Sequence, residues 1–530
     1  MKNIKLNALT NMLVRILNIV FPLITGPYIS RVLSKEDFGN FNVANTILNL
    51  FIPFATLGIY NYGMREISKV KNDRDKINKV FSQLFYISLI CTIATTIIYY
   101  IYVSFTIETP DLRYLYYILG VQLFSQLFYI EWLNEAFENY KFIFYKTLVI
   151  RILMLVAVFM FVKKAEDIIP YTIVMSVITL INFLASFVWI KREVKFVRVH
   201  AKDMMKMMSP LFAVLLIANA NMLYTYLDQI FLSKIGIVEN VTYYVTGYNI
   251  ATLLARVVSG AVSVSVPRLG YYLGIGDRKA YQDLVNKGSQ AFFFFLVPIC
   301  VGLASVGIPV TLLYGGEKYF FAGMCTVLFA IRTIGWALEI IFGTQVILVN
   351  GYEERLTILY FVGGGINLLL NSVLFFMGVT APEYYIITTM AAEIVLLLLE
   401  YVFIRNMELV RVKPILHMLK RYIVLSLGFV PIAFVVNHFV PYGQVVDKQL
   451  LLNIGLTVIS SVIYYLIALA IAKDDLYQSI LKGVLSKLKI VALLAVIYFE
   501  AAKLIPTFVP NTKIATVRKA INLFTILPLA

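Results

Sequence analysis

Cysteine is scarce in this chain: Cys91, Cys300 and Cys325 are the only three in 530 residues, with no CxxC pair and no ligand-like spacing. Neither a disulfide framework nor a metal site is indicated, and the three read as small core residues within apolar segments. Charge is also scarce, at 14% of residues, and acids are outnumbered 30 to 46. No HExxH, GxSxG, Walker or nucleotide-binding pattern occurs anywhere. Gly363-Gly364-Gly365 is not a phosphate loop, because it lies inside an apolar run with no Lys-Ser/Thr behind it. It reads as a place for close helix approach or a kink.

Apolar residues dominate instead, at 60% of the chain. Fourteen stretches are long enough to cross a bilayer, near 8–30, 38–60, 80–103, 112–131, 143–163, 168–190, 207–233, 241–265, 288–313, 320–348, 356–379, 384–404, 422–440 and 450–472. The first is too long for a signal-peptide core and lacks a small-residue cleavage site, so it is expected to remain as a span. The N-terminus, the even-numbered connections and the tail hold 34 of the 46 basic residues; the odd-numbered connections hold eight, and four lie within spans. This alternation places both termini and the basic loops in the cytoplasm. In a soluble protein a net charge of +16 would point to nucleic acid; here the surplus lies beside a membrane, and anionic lipid is its simplest partner. Every outer connection is short, which leaves no platform for the catalytic acids of a membrane polymerase or glycosyltransferase.

An offset of 203 residues lays the first two spans on the seventh and eighth: Arg31 falls on Lys234, Phe41 on Tyr244, Ala44 on Gly247, Ile47 on Ile250 and Arg65 on Arg268. A shift to 212 pairs Asn139-Tyr140 with Gly351-Tyr352. Each repeat holds an even number of spans, so the two are parallel about an axis along the membrane normal. The expected fold is therefore all-α and polytopic, with about 14 transmembrane helices in two pseudo-symmetric six-helix lobes plus two C-terminal helices. The lobes are residues 1–190 and 207–404, joined by a basic cytoplasmic linker, 191–206. Spans 13 and 14 lie in 405–472. A basic cytoplasmic tail follows, 473–530, whose short apolar run from Ile490 to Phe499 reads as an interfacial helix.

A guanidinium facing lipid is costly, so Arg15, Arg151, Arg256 and Arg332 should point into the bundle or a wet cavity. Arg15, near mid-membrane, and Arg256 have no acid within a turn or two, and both can line a cleft between spans 1, 2, 7 and 8. A diphosphate suits such a cleft, because the planar guanidinium grips phosphate oxygens bidentately. Arg332 either joins them or pairs with Glu339, seven residues on along the same face. Arg151 is expected to pair with Glu131 or Glu135. Arg31, a basic residue at the outer mouth, joins Arg15, Arg256 and Arg332 as a candidate substrate-binding residue, and Glu339 joins Asp228 and Glu393 as a candidate for gating or ion coupling. Asp228 either binds a coupling cation or gates by pairing with Arg31 or Lys234, and Glu393 and Glu400 share a face suited to a proton or cation relay. Tyrosine clusters at span ends form interfacial belts, some of them able to stack on sugars.

The run Gly26-Pro27-Tyr28-Ile29-Ser30-Arg31-Val32-Leu33, then Lys35-Glu36-Asp37-Phe38-Gly39 and Tyr62-Gly63-Met64-Arg65-Glu66, resembles the polysaccharide-transport family. These are the O-antigen and capsule repeat-unit flippases of the multidrug/oligosaccharidyl-lipid/polysaccharide exporter superfamily. Glu131-Trp132, Glu138-Asn139-Tyr140-Lys141, Asp228, Val266-Pro267-Arg268 and Asn350-Gly351-Tyr352 extend the likeness to about residue 472. The inner turn departs from the family, reading Glu131-Trp132-Leu133-Asn134-Glu135 where relatives carry a Trp-Phe-Phe-Gln-Gly-like run.

The resemblance implies two lobes in a V, alternating access to a cationic cavity, and Arg15 and Arg256 as its cavity arginines. It further implies a polyprenyl-diphosphate-linked glycan as cargo in a bacterial cytoplasmic membrane, with polysaccharide polymerase and glycosyltransferases as partners. No cofactor is expected; coupling to Na+, H+ or the membrane potential remains open. The alternatives are a peptidoglycan lipid-precursor flippase, a cation-coupled multidrug exporter, and a membrane polymerase or glycosyltransferase.

Overall fold

The computed structural model describes residues 4–70, 73–219, 222–263 and 265–483. Apolar runs of about twenty residues have no water to satisfy their backbone, so each closes its hydrogen bonds internally as helix. The first half holds α1 (Ile4–Val32), α2 (Lys35–Thr56), α3 (Ile59–Lys69), α4 (Arg74–Thr106), α5 (Pro110–Ser125), α6 (Glu131–Ala136), α7 (Tyr140–Phe161) and α8 (Ile168–Ile190). The second holds α9 (Ala201–Asn219), α10 (Met222–Lys234), α11 (Val238–Ser263), α12 (Val266–Gly274), α13 (Arg278–Ser305), α14 (Gly307–Gly315), α15 (Ala322–Glu339), α16 (Glu353–Phe376) and α17 (Pro382–Asn406). After these come α18 (Val412–Ser426), α19 (Phe429–Phe439) and α20 (Lys448–Ile471). No strand occurs among the described residues.

The described residues of the fourteen apolar stretches are mainly helical, and among the described residues ten helices are long and apolar enough to cross a membrane. The four stretches outside that ten are those carried by α1, α5, α9 with α10, and α11. The chain divides into two compact units, 1–462 and 463–530. The second is described only to residue 483, as the end of α20 and a helical stretch over 475–483, so the 490–499 run of the expected interfacial helix lies outside the described residues.

Helices in the first and second halves begin in similar ways. Asp73 caps α4 by accepting from the Lys76 amide at 3.1 Å, and Asp277 caps α13 by accepting from the Ala280 amide at 2.9 Å. A short helix precedes each, α3 in the first half and α12 in the second. Helices α5 and α15 both leave α geometry at their C-terminal ends. After α5 the chain tightens into a 3₁₀ turn, Gln126–Phe128, whereas after α15 it widens into a π-helix, Ile340–Leu348.

Within the first half α1 packs on α7, α5 on α8, and α2 on α4 and α5; within the second α11 packs on α15, α13 on α15 and α18, and α16 on α17. Side chains such as Ile90, Ile97, Ile98 and Ile101 on α4 stay outward, as a lipid-facing surface requires. The linker is laced to α4 rather than loosely solvated: the Lys195 amide donates to Asn78 Oδ1 and the Val197 amide to Ser82 Oγ, both at 2.9 Å.

The two halves meet through α2, which packs on α10 and α11, and through α1, which touches α11 and α14. Gly39 makes the closest approach possible, since a Cβ there would lie 2.6 Å from the Val238 carbonyl oxygen. Polar contacts seal the same end. Lys35 donates to Tyr243 Oη at 2.9 Å and pairs with Glu239 at 3.2 Å, while Arg31 donates to the Leu313 carbonyl at 2.6 Å. Lys318 reaches back to the Leu33 and Arg31 carbonyls, and Thr46 donates to Gln229 at 2.5 Å.

Candidate functional site

Helices α10, α11, α15 and α17 enclose a cavity of about 310 Å³ in the second half. Arg256 and Arg332 line it together with Tyr226, Tyr248, Trp336 and Glu393. Arg256, and Arg332 in its pairing with Glu393, stand among aromatic faces, so the cavity offers an anion guanidinium donors and a sugar a stacking wall. Arg256 is exposed toward this space from the last third of α11. Arg332 is held: it donates from Nε to both Glu393 oxygens, at 3.1 and 2.9 Å, and from Nη2 to Oε1 at 2.7 Å.

A larger cavity of about 810 Å³ shares the Arg332–Glu393 pair and opens between α13, α15, α17, α18 and α19. Its other walls are mainly apolar, among them Ile331, Leu397, Leu427 and Phe434. Gly363 makes room nearby, because a Cβ there would strike the Tyr224 hydroxyl, which donates to the Tyr360 carbonyl at 3.1 Å. Close helix approach is thus what this first glycine of the triplet provides.

Asp228 is fully buried beside that cavity and fully satisfied. It accepts from Tyr244 Oη at 2.6 Å, Asn371 Nδ2 at 2.6 Å, Thr389 Oγ1 at 2.7 Å and Asn367 Nδ2 at 3.2 Å. Asn367 and Asn371 stand one turn apart on α16 and so share the face that meets α10 and α17.

Several sequence expectations are corrected by this geometry. The carboxylate that claims Arg332 is Glu393, across on α17, and not Glu339 on its own helix. Glu339 instead accepts from the Tyr360 hydroxyl and lies near Glu400. Glu393 and Glu400 therefore do different things, although they share a helix face. Asp228 is partnered by hydroxyl and amide groups rather than by Arg31 or Lys234, and Arg31 lies at the contact between the halves, bonded to Leu313. Arg151 donates to Asn18 at 3.0 Å, while Glu131 is taken by Lys146 at 3.0 Å and by Ser186, and Glu135 accepts from Tyr60. Arg15 belongs to α1, but its side chain lies outside the described ones.

The family model described as "Polysaccharide biosynthesis protein" matches residues 4–272, just over half of the chain. The chain belongs to this family. Two relatives named "Putative O-antigen transporter" are each 22% identical to it. The Shigella dysenteriae protein aligns over 69% of this chain and 91% of its own length, and the Escherichia coli K12 protein over 74% and 94%. Among solved structures, the lipid II flippase MurJ in an inward closed conformation matches with a TM-score of 0.65 at 14% identity, over 89% of this chain and 99% of its own. An inward-facing multidrug resistance MATE transporter matches with a TM-score of 0.54 at 15% identity, over 73% and 94%. The likeness fixes the fold: this family member is a helical, multi-pass membrane protein built like the exporters of that superfamily.

Proposed function

We infer that the protein is a flippase that carries polyprenyl-diphosphate-linked oligosaccharide repeat units across the bacterial cytoplasmic membrane for surface polysaccharide synthesis, by alternating access. The observation that carries this reading is the cavity lined by Arg256 and Arg332 and walled by Tyr226, Tyr248 and Trp336. The diphosphate has guanidinium groups to meet and the glycan has aromatic faces. The apolar cavity behind Arg332 suits the chemistry of a lipid chain, although a chain left in the bilayer would serve equally. A diphosphate diester carries about two negative charges, and an inside-negative potential favours moving each outward by ~2.3 kcal/mol per 100 mV. Arg15 is proposed as a further guanidinium for the diphosphate in this reading.

Fourteen crossings in two six-helix lobes, 1–190 and 207–404, with both termini cytoplasmic, fit the charge alternation and the matching caps at Asp73 and Asp277. The contacts made by Arg31, Lys35 and Lys318 then form the outer gate, closed in this state. Asp228, with four further oxygen-bearing side chains around it, is the place for a coupling cation in this reading. On the inner side, Arg278, Lys279, Arg405, Arg411 and Lys413 surround a cavity of about 880 Å³ suited to an anionic lipid headgroup.

Buried carboxylates are also what a cation-coupled drug exporter would carry; the match to a polysaccharide biosynthesis family favours the glycan reading. Vesicles loaded with a polyprenyl-diphosphate oligosaccharide provide the test, read as sugar accessibility from outside. Arg15→Ala and Arg256→Ala should each slow its appearance at least tenfold. Full rates in both would discard the arginine role.

A further inference from the structure

Behind the cationic cavity lie two carboxylates that phosphate binding does not use. Glu400 is completely buried on α17, and neither of its carboxylate oxygens has a hydrogen-bond partner. Glu339 closes α15, accepts from the Tyr360 hydroxyl, and leads directly into the π-helix. Gly343, within that π-helix, permits the arrangement. A Cβ there would fall 2.8 Å from Glu339 Oε1, 2.8 Å from Tyr360 Oη and 3.3 Å from Glu400 Oε1, which puts the two carboxylates no more than about 6 Å apart.

Among the described residues no ion pair claims either carboxylate. Arg332 spends its charge on Glu393 through three hydrogen bonds, and Asp228 adds a further acid within its electrostatic reach. The other titratable groups facing the pair, Tyr224 and Tyr360, are hydroxyls. Two ionised carboxylates this close and this dry repel each other and lose hydration, and a proton on one of them removes both penalties. A small cavity of about 20 Å³, lined by Tyr224, Trp336, Glu339 and Glu393, has room for about one water. It shares Tyr224, Trp336 and Glu393 with the cationic cavity, so a proton from water there has a short way to Glu339.

We propose that Glu339 and Glu400 form a carboxyl–carboxylate pair that binds one exchangeable proton, making it the proton site of this half of the molecule. Loading takes a proton from hydronium onto a carboxylate oxygen and leaves water; unloading reverses this, with no other bond changed. The π-helix is the element able to separate or join the two groups, because a one-residue shift in its hydrogen bonding turns Glu339 relative to Gly343. Proton binding stands independently of the cargo; its coupling to transport rests on the flippase reading above.

Infrared difference spectra of the full-length protein in lipid nanodiscs, titrated from about pH 4 to about pH 9 in H2O and D2O, test the site without substrate. The expected result is a protonated-carboxyl stretch, shifted in D2O, that persists where an ordinary glutamate, with a reference value of about 4.3, is ionised. Glu339→Gln with Glu400→Gln should abolish it, and either change alone should lower its midpoint, because the like charge is gone. Glu239→Gln, at the contact between the halves, should leave it unchanged.

A band absent from the wild type, one surviving in the double variant, or single variants titrating at the wild-type midpoint would overturn the proposal. In vesicles holding a polyprenyl-diphosphate oligosaccharide, an imposed pH gradient should change the flipping rate of the wild type and not of the double variant. Equal gradient response in both would end the coupling while leaving the site. No flipping by any form would instead remove the flippase reading and leave the infrared result standing.

Discussion

The first and second halves of this molecule treat buried charge in opposite ways. In the first half Lys146 meets Glu131 at 3.0 Å, with Ser186 bonded to both, a closed set with nothing left over. In the second half one arginine, Arg332, stands among Asp228, Glu339, Glu393 and Glu400 and neutralises only Glu393. A balanced pair has no ion to exchange, whereas an unbalanced group must take up something. The helix ends differ likewise: a 3₁₀ turn leads into Glu131 in one half and a π-helix follows Glu339 in the other. The buried charge proposed above for ion exchange thus lies in the second half.

Breaking the pairs one partner at a time sets this contrast to work, and the largest effect should come from Arg332. Arg332→Met leaves Glu393 buried and unpaired, and should cost ~3–5 kcal/mol of stability, read as a lower thermal midpoint in detergent. Adding Glu393→Met should restore most of that stability but not the transport. Lys146→Met should cost ~3 kcal/mol, somewhat less because Ser186 still serves Glu131 at 2.5 Å. Its double variant with Glu131→Met should recover both stability and transport. If the second-half double variant transports normally, or the first-half one does not, the division of labour is wrong.

A milder disturbance targets the contact between the halves. Gly39→Ala sets a methyl 2.6 Å from the Val238 carbonyl and 2.8 Å from Thr242 Oγ1, and backbone cannot step aside as a flexible side chain can. A cost of ~1–3 kcal/mol falls on this packed arrangement alone. Spin labels on α2 and α11 near Lys35 and Glu239 should report a population in which that end has opened. Gly270→Ala, with nothing within 4 Å of its Cβ, should leave the distances unchanged. Unaltered distances in Gly39→Ala would mean that this contact does not hold the gate.

Much of this was legible in the sequence, and the failures have a common cause. Apolar runs marked an all-helical membrane protein, ten of whose described helices are long and apolar enough to cross a bilayer, and the motif around Arg31 led to the family. Of the charges inside spans, Arg256, Arg332, Glu339 and Glu393 line second-half cavities, and Asp228 is buried within electrostatic reach of Arg332. Pairing was not legible. Glu339 is on the same face of the same helix as Arg332, but the π-helix and the packing of α17 on α15 deliver Glu393 instead. Arg151 had acids close in sequence, but α1 on α7 brings it to Asn18. Spacing along one helix predicts a face; the partner across that face comes from packing, which a single sequence does not contain. A detectable signal was missed in Asn367 and Asn371, polar residues one turn apart in an apolar run, which anticipate a buried partner such as Asp228.

The smallest expected effect lies at the junction of the halves, where Asp203 at the start of α9 pairs with Lys79 on α4 at 3.1 Å. Lys79, by hydrogen bond and charge, holds the Asp203 carboxyl below its ordinary value of 3.8. A lowered folded-state value makes the tie fully present above about pH 4 and lost as the pH falls through the folded value. Hydrogen exchange in the first turn of α9 should therefore quicken on acidification in the wild type, and already be quick at neutral pH in Asp203→Asn. The pair is exposed, so the difference should shrink in high salt. A wild-type exchange rate that ignores both acid and salt would show that the linker is anchored by the Lys195 and Val197 amides on α4 instead, and that charge plays no part in joining the two halves.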